Sequence, residues 1–178
     1  MKLYKLTDSK GQTHGGTQWG ENVTHKARGS GEELCSEDVI HAYKDPLLAL
    51  LLNPIHAAFD KPQLWEAEGE PIADDGLKVG CRELTTLKRI KKQRITKEQR
   101  VRFGILCALE VYKKPSFAEW AEGWLRKKDR SKAAARAARA AAWAAEAAAE
   151  AAAEAAAGAA EAAGDINLAE IAEKAIRG

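Results

Sequence analysis

Residues 64–90 read LWEAEGEPIADDGLKVGCRELTTLKRI, and this stretch decides the fold. Residues 64–70 and 77–90 have the composition and alternation of strands, and Asp74-Asp75-Gly76 supplies turn residues between them. Two strands separated by a turn are therefore predicted. Glu66, Glu68 and Glu70 alternate along the first of them, so all three are expected on one face, meeting water.

Working outward, Met1-Lys-Leu-Tyr-Lys-Leu-Thr7 alternates apolar and polar residues and predicts another half-buried strand, followed by a turn over residues 8–11. Residues 12–31 hold Gly15, Gly16, Gly20, Gly29 and Gly31 with Trp19 and Val23, a glycine-rich loop around one short strand. Asp45 before Pro46 reads as an N-cap and first-turn proline opening a short buried helix over residues 47–52, which Asn53-Pro54 ends.

From Ile95 the period becomes helical. Thr96 and Gln99 form a capping box, and Val101, Ile105, Ala108, Leu109 and Tyr112 recur on one face. Ser116 and Glu119 form a second box, opening a helix with Phe117, Trp120 and Trp124 along its core face. Asn167 and Glu170 form a third, with Ile166 and Ile171 as a hydrophobic staple. The closing helix, residues 168–176, offers Leu168, Ile171 and Ile176 to an apolar surface; being short, it must dock on its own chain or on a partner.

Between these helices, residues 133–163 contain 23 alanines in 31 positions. Alanine is the best helix former, so a rod of about 46 Å is expected. Lys132, Arg136 and Arg139 precede Trp143, while Glu146, Glu150 and Glu154 follow it. That order opposes the helix dipole. A second copy laid antiparallel removes the conflict, because Lys132 meets Glu154, Arg136 meets Glu150 and Arg139 meets Glu146 about Trp143. The fold class is thus α+β: a small mainly-β N-terminal head with short helices (1–94), a helical pair packed on it (95–130), a long alanine-rich helix (131–164) and a short C-terminal amphipathic helix (165–178).

The 178 residues carry a formal net charge of +2, too close to neutral to argue for nucleic acid or an anionic membrane. The basic runs at 88–94 and 126–132 read as solvated connectors. Cys35, Cys81 and Cys107 are odd in number and widely spaced, so disulfides are not expected and a reducing cytoplasm is. No apolar run is suited to span a bilayer.

Catalytic signatures are absent: there is no Walker-type phosphate loop, nucleophile elbow or C-x-x-C pair. Gly15-Gly16-Thr17-Gln18-Trp19-Gly20 matches a phosphate cradle in composition only. His14, His25, His41, His56, Cys35 and Cys81 fit no common zinc spacing, so neither metal nor cofactor is expected.

Cys35, Ile40-His41, Asp45-Pro46-Leu47, Glu66-Ala67-Glu68-Gly69 and Lys78-Val79-Gly80-Cys81, with the alanine-rich tract behind them, resemble an uncharacterised family of bacteriophage proteins. Ser36 to Val39 separate Cys35 from the Ile-His pair here, so the pattern does not imply that Cys35 and His41 act together. The resemblance implies a phage setting in the cytoplasm of an infected bacterial host. The order of elements also resembles ADP-ribosyltransferase-like folds, which implies a nicotinamide-type cleft lined by His41 and Tyr43; no catalytic Arg and Glu stand in register.

The expected function is a non-enzymatic phage accessory protein, an interaction and assembly module forming a homo-oligomer through Lys132, Arg136, Arg139, Trp143, Glu146, Glu150 and Glu154. The alternatives are a ligand-binding antagonist of host defence that sequesters a nucleotide signal and an ADP-ribosyltransferase-like enzyme. In the former, phosphates would meet Lys10, His14 or His25. A ligand is expected near Trp19, His41 and Tyr43, and a host protein is a further possible partner.

Overall fold

A computed structural model describes residues 1–112, 115–128, 131 and 166–178. The fold is α+β, with an antiparallel five-stranded sheet and helices. The chain divides into two compact units, Met1–Arg94 and Ile95–Gly178.

In the first unit the order is β1 (Lys2–Thr7), a 3-10 turn at His14–Gly16, β2 (Val23–Lys26), β3 (Ile40–Ala42), α1 (Pro46–His56), β4 (Gln63–Asp74) and β5 (Val79–Ile90). The hairpin of β4 and β5 is the centre of the sheet. β1 adds to the outer edge of β4 with Lys5 opposite Trp65, while β2 and β3 share the outer edge of β5 end to end. β4 runs past the expected end at Glu70 as far as Asp74, through Pro71. The ladder shifts register on both sides of Pro71, and a proline, having no N–H to donate, is tolerated at such an irregularity.

The last residue of this arrangement turns the sheet back on itself. Tyr43, directly after β3, exchanges both backbone hydrogen bonds with Tyr4 of β1, at 2.8 and 2.9 Å. The hydrogen-bonded path therefore runs β1-β4-β5-β3 and returns to β1. Inside it lie Leu3, Trp19, Ala42, Ala67, Val79, Cys81 and Leu84, all buried. Thr7 and Thr86 are fully buried too, and each is satisfied: Trp65 Nε1 donates to Thr7 Oγ1 at 3.0 Å, and Thr86 Oγ1 donates to Gly20 O at 2.7 Å.

α1 opens as expected, with the Asp45 carboxylate accepting from Leu47 and Leu48 N–H. It does not stop at Asn53-Pro54 but continues to His56. The buried Asn53 holds the extra turn: its carbonyl accepts from Ala57 N–H at 3.0 Å, and its amide both donates to and accepts from the Phe59 backbone. These bonds offset what Pro54 removes.

The second unit contains α2 (Lys97–Val111), α3 (Pro115–Leu125) and α4 (Leu168–Arg177). The Thr96/Gln99 box forms, at 3.1 and 2.9 Å. The expected apolar face of α2 is corrected: Ile105 and Ala108 are buried, but Val101 and Tyr112 are 37% and 43% exposed while Phe103 is buried. α2 carries both neighbouring helices, so its buried surface is turned from the simple stripe. Phe117, Trp120 and Trp124 pack as core with Ile105, Leu109, Ala121 and Leu125. The side chain of Ser116 lies outside the described residues.

α4 docks on its own chain, packing on α2 with Gln99 Nε2 donating to Ile176 O at 3.1 Å. Its buried face is Ile171, Ala172 and Ala175 rather than Leu168, Ile171 and Ile176. Asn167 caps Glu170 N–H at 3.1 Å, but the Glu170 carboxylate pairs with Lys174 at 2.8 Å, and Ile166 stays 42% exposed. The residues expected to pair copies, Lys132, Arg136, Arg139, Trp143, Glu146, Glu150 and Glu154, and the alanine-rich tract expected to carry them as a helix lie outside the described residues.

Gly80 on β5 tests how closely the chain before β3 lies on the sheet. A Cβ there would sit 2.6 Å from Val39 Cγ2 and 3.0 Å from Leu34 Cδ2. Gly80→Val is expected to lower stability by about 1–3 kcal/mol, read as a fall in the urea midpoint with an unchanged slope.

Candidate functional site

The alternation of β1 places Leu3, Lys5 and Thr7 on one side of the strand. Leu3 and Thr7 belong in a core. Lys5 follows them inward because the period leaves no choice, and only 8% of it remains exposed. Its ammonium donates to His41 O at 2.5 Å and lies 5.1 Å from the centre of the Trp19 ring. Burial pushes its pKa down from 10.5 to about 8.

His41 stands opposite Gly80 in the β3–β5 ladder. Its Nε2 accepts the Cys35 backbone N–H at 2.9 Å, which fixes the neutral ring with its proton on Nδ1. Burial, then the charges of Lys5, Lys78 and His56, push its pKa down from 6.5 to about 4, against a smaller opposing pull from Asp75. Tyr43, two residues on, shares a 3.1 Å hydrogen bond with His56 Nδ1 and stacks on that ring at 6.0 Å. Burial lowers the His56 pKa and raises that of Tyr43 well above its ordinary value.

The turn between β4 and β5 completes the cluster. Asp75 Oδ1 accepts from Leu77 and Lys78 N–H at 2.9 and 2.8 Å, and its other oxygen lies 4.0 Å from Lys78 Nζ. Lys78 Nζ in turn donates to Cys35 Sγ at 2.9 Å. Two neutral imidazoles, a phenol, a thiol and one ammonium–carboxylate pair are thus gathered at one end of β3.

Of the residues expected near a ligand, the structure brings His41 and Tyr43 to this cluster. Trp19 is placed elsewhere. It is a core residue, 3% exposed, whose indole N–H donates to Thr13 Oγ1 at 3.1 Å, and Lys5 stands between its ring and the His41 carbonyl. The glycine-rich loop likewise turns its imidazoles to its own chain: His14 Nε2 donates to Ala57 O at 3.0 Å and His25 Nε2 to Gln18 O at 2.7 Å. Cys35 and His41, separated in sequence by Ser36–Ile40, do meet, through the Cys35 backbone N–H. Glu66 faces Lys2 and Lys88 at 3.4 and 3.9 Å rather than water alone. Lys5, His56, Asp75 and Lys78 were not anticipated as site residues; only Lys5 carried a signal, its even spacing from Leu3.

No protein-family model, curated protein or solved structure matches the chain. Among the described residues no group of three or more His, Cys, Asp or Glu is placed to hold a metal ion, and no helix is long and apolar enough to cross a membrane.

Two pH dependences follow. The unfolded chain holds the Lys5 proton up to 10.5 and the folded chain only to about 8, so stability rises with pH across that window and is lowered by about 3 kcal/mol below it. Lys5→Met is expected to remove that rise and stabilise the protein by about 1–3 kcal/mol at pH 7, measured by urea unfolding. On the acid side, the unfolded chain takes up the His41 proton near 6.5 and the folded chain resists to about 4, so stability falls as pH drops through that range. In His41→Gln, whose amide oxygen can still accept the Cys35 N–H, that fall should be shallower, His56 supplying the remainder.

Proposed function

We propose that this protein is a non-enzymatic interaction and assembly module that associates with a second copy through its alanine-rich tract. The observation that carries the non-enzymatic reading is the use made of the imidazoles. All four histidines hold hydrogen bonds to the chain's own groups: His14 to Ala57, His25 to Gln18, His41 to Cys35 and His56 to Tyr43. An acid–base catalyst needs such a group within reach of a substrate proton, whereas these bonds tie His14 to the end of α1, His25 and His41 to the loops before their strands, and His56 to Tyr43.

The assembly half of the reading rests on the sequence. Cations from Lys132 to Arg139 and anions from Glu146 to Glu154 complement each other between antiparallel copies. Exposed pairs contribute about 0.2–1 kcal/mol each, so they select orientation, while alanine permits the close backbone approach that gives affinity. The phage setting rests on the resemblance of the head motifs. Sequestration of a nucleotide has less support, because Trp19 is buried and the His14 and His25 rings are already hydrogen-bonded to Ala57 and Gln18.

Light scattering on the full chain tests this. A dimer is expected, with Arg136→Glu combined with Arg139→Glu weakening association roughly tenfold. Adding Glu146→Arg and Glu150→Arg should restore it. Monomers at high concentration, or reversals without effect, would contradict the proposal.

A further inference from the structure

Cys35 is the exposed thiol among three: Cys81 is fully buried and Cys107 partly so. Its backbone adopts φ 67°, the left-handed region that a residue with a Cβ enters at a cost. Such a conformation persists only where the surroundings impose it. Here they do so without help from the sulfur. Arg28 and Gly29 N–H both donate to Glu37 O, Gly31 N–H donates to Asp38 Oδ1, and Ser36 Oγ donates to Glu33 O. Arg82 Nη1 reaches Gly29 O and Asp38 O, both at 3.2 Å, and bolts the whole loop to β5. Val39 and Leu34 rest on Gly80, which has no side chain to lift them.

Lys78 is held as firmly. Its backbone N–H is tied to Asp75 Oδ1, and its side chain is only 11% exposed, so the long stem has little room to move. The outcome is a nitrogen and a sulfur held 2.9 Å apart by two separately anchored segments.

We propose that Cys35 and Lys78 are a covalent modification site, in which a hydroperoxide drives formation of a bond between Cys35 Sγ and Lys78 Nζ. In the first step the thiol attacks the peroxide: an S–O bond forms, the O–O bond breaks, and a sulfenic acid and water (or the alcohol of an organic peroxide) result. Sulfur loses two electrons and the peroxide gains them. In the second, Lys78 releases one proton to solvent and its lone pair attacks the sulfur. The S–N bond forms, the S–O bond breaks, and the departing hydroxide leaves as water with the second amine proton. No further oxidant is needed. Reaction in place of diffusion is what the fixed separation supplies, since groups already in contact react as if at very high concentration. Two equivalents of an external thiol reverse it, regenerating thiol and amine and leaving a disulfide of the reductant.

The bond would close the loop before β3 onto the start of β5, beside the His41 ring that accepts the Cys35 N–H. Burial separates the other thiols from this chemistry. It pushes Cys107 up to about 12 and raises Cys81 as well.

The test is peptide mapping of the full chain after hydrogen peroxide, with the excess removed before digestion. The expected product joins the segment holding Cys35 to that holding Lys78, is lighter by two hydrogens than the two together, resists trypsin after Lys78 and separates on adding dithiothreitol. Cys35→Ser and Lys78→Met should each abolish it, and in Lys78→Met the Cys35 sulfur should proceed to sulfinic acid. The wild-type map decides even if a variant fails to fold. Cys35 oxidised to sulfinic or sulfonic acid without a joined peptide would overturn the proposal, and a joined peptide that retains an oxygen atom would overturn the S–N bond.

Discussion

The two backbone hydrogen bonds between Tyr4 and Tyr43 are the constraint on which the head depends. Without them β3 would hang from β5 alone, by three residues of ladder. With them β3 is held between β5 and β1, and everything on its two faces acquires a fixed neighbour. Ala42 enters the core beside Leu3 and Val79, His41 turns to Cys35, and Tyr43 is brought to His56 on the last turn of α1. The same closure puts His41 O over the side of β1 from which Lys5 points inward.

That enclosure has a consequence for stability. An ammonium with one carbonyl acceptor and an indole face has lost most of its hydration, and the resulting cost of about 3 kcal/mol is large beside the 5–15 kcal/mol that typically holds a domain together. The head therefore keeps an inward charge where a methylene chain would pack more favourably. The imidazoles near it remain neutral for the same physical reason, burial reinforced by neighbouring cations. These groups form one electrostatic unit: Lys5 and Lys78 both act on His41, and Asp75 opposes them.

Patterns of period two and period 3.6 made the strands β4 and β5, β1 and α2 legible from residues 64–90, 1–7 and 95–112, whereas the pairing of β4 with β5 came from the structure. Capping chemistry at Asp45 and Thr96 was legible because it is local. Less so were the ends of elements that tertiary bonds prolong, as Asn53 carries α1 beyond Pro54 and a register shift lets β4 pass Pro71. The site was mostly illegible. Cys35, Tyr43, His56 and Lys78 are spread over 44 positions of sequence, and what joins them is the closure of the sheet, which no short motif encodes. Trp19 was expected near a ligand, whereas its area is used in the core. The inward Lys5 was readable in its phase with Leu3, yet an alternating strand ordinarily assigns a lysine to water.

Nuclear magnetic resonance of the intact protein, following the Lys5 side-chain carbon and nitrogen signals against pH, addresses this account most directly. Enclosure of the ammonium by the Tyr4–Tyr43 closure predicts a titration midpoint of about 8. A midpoint at the ordinary 10.5 would show a solvated Lys5 and contradict the closed head.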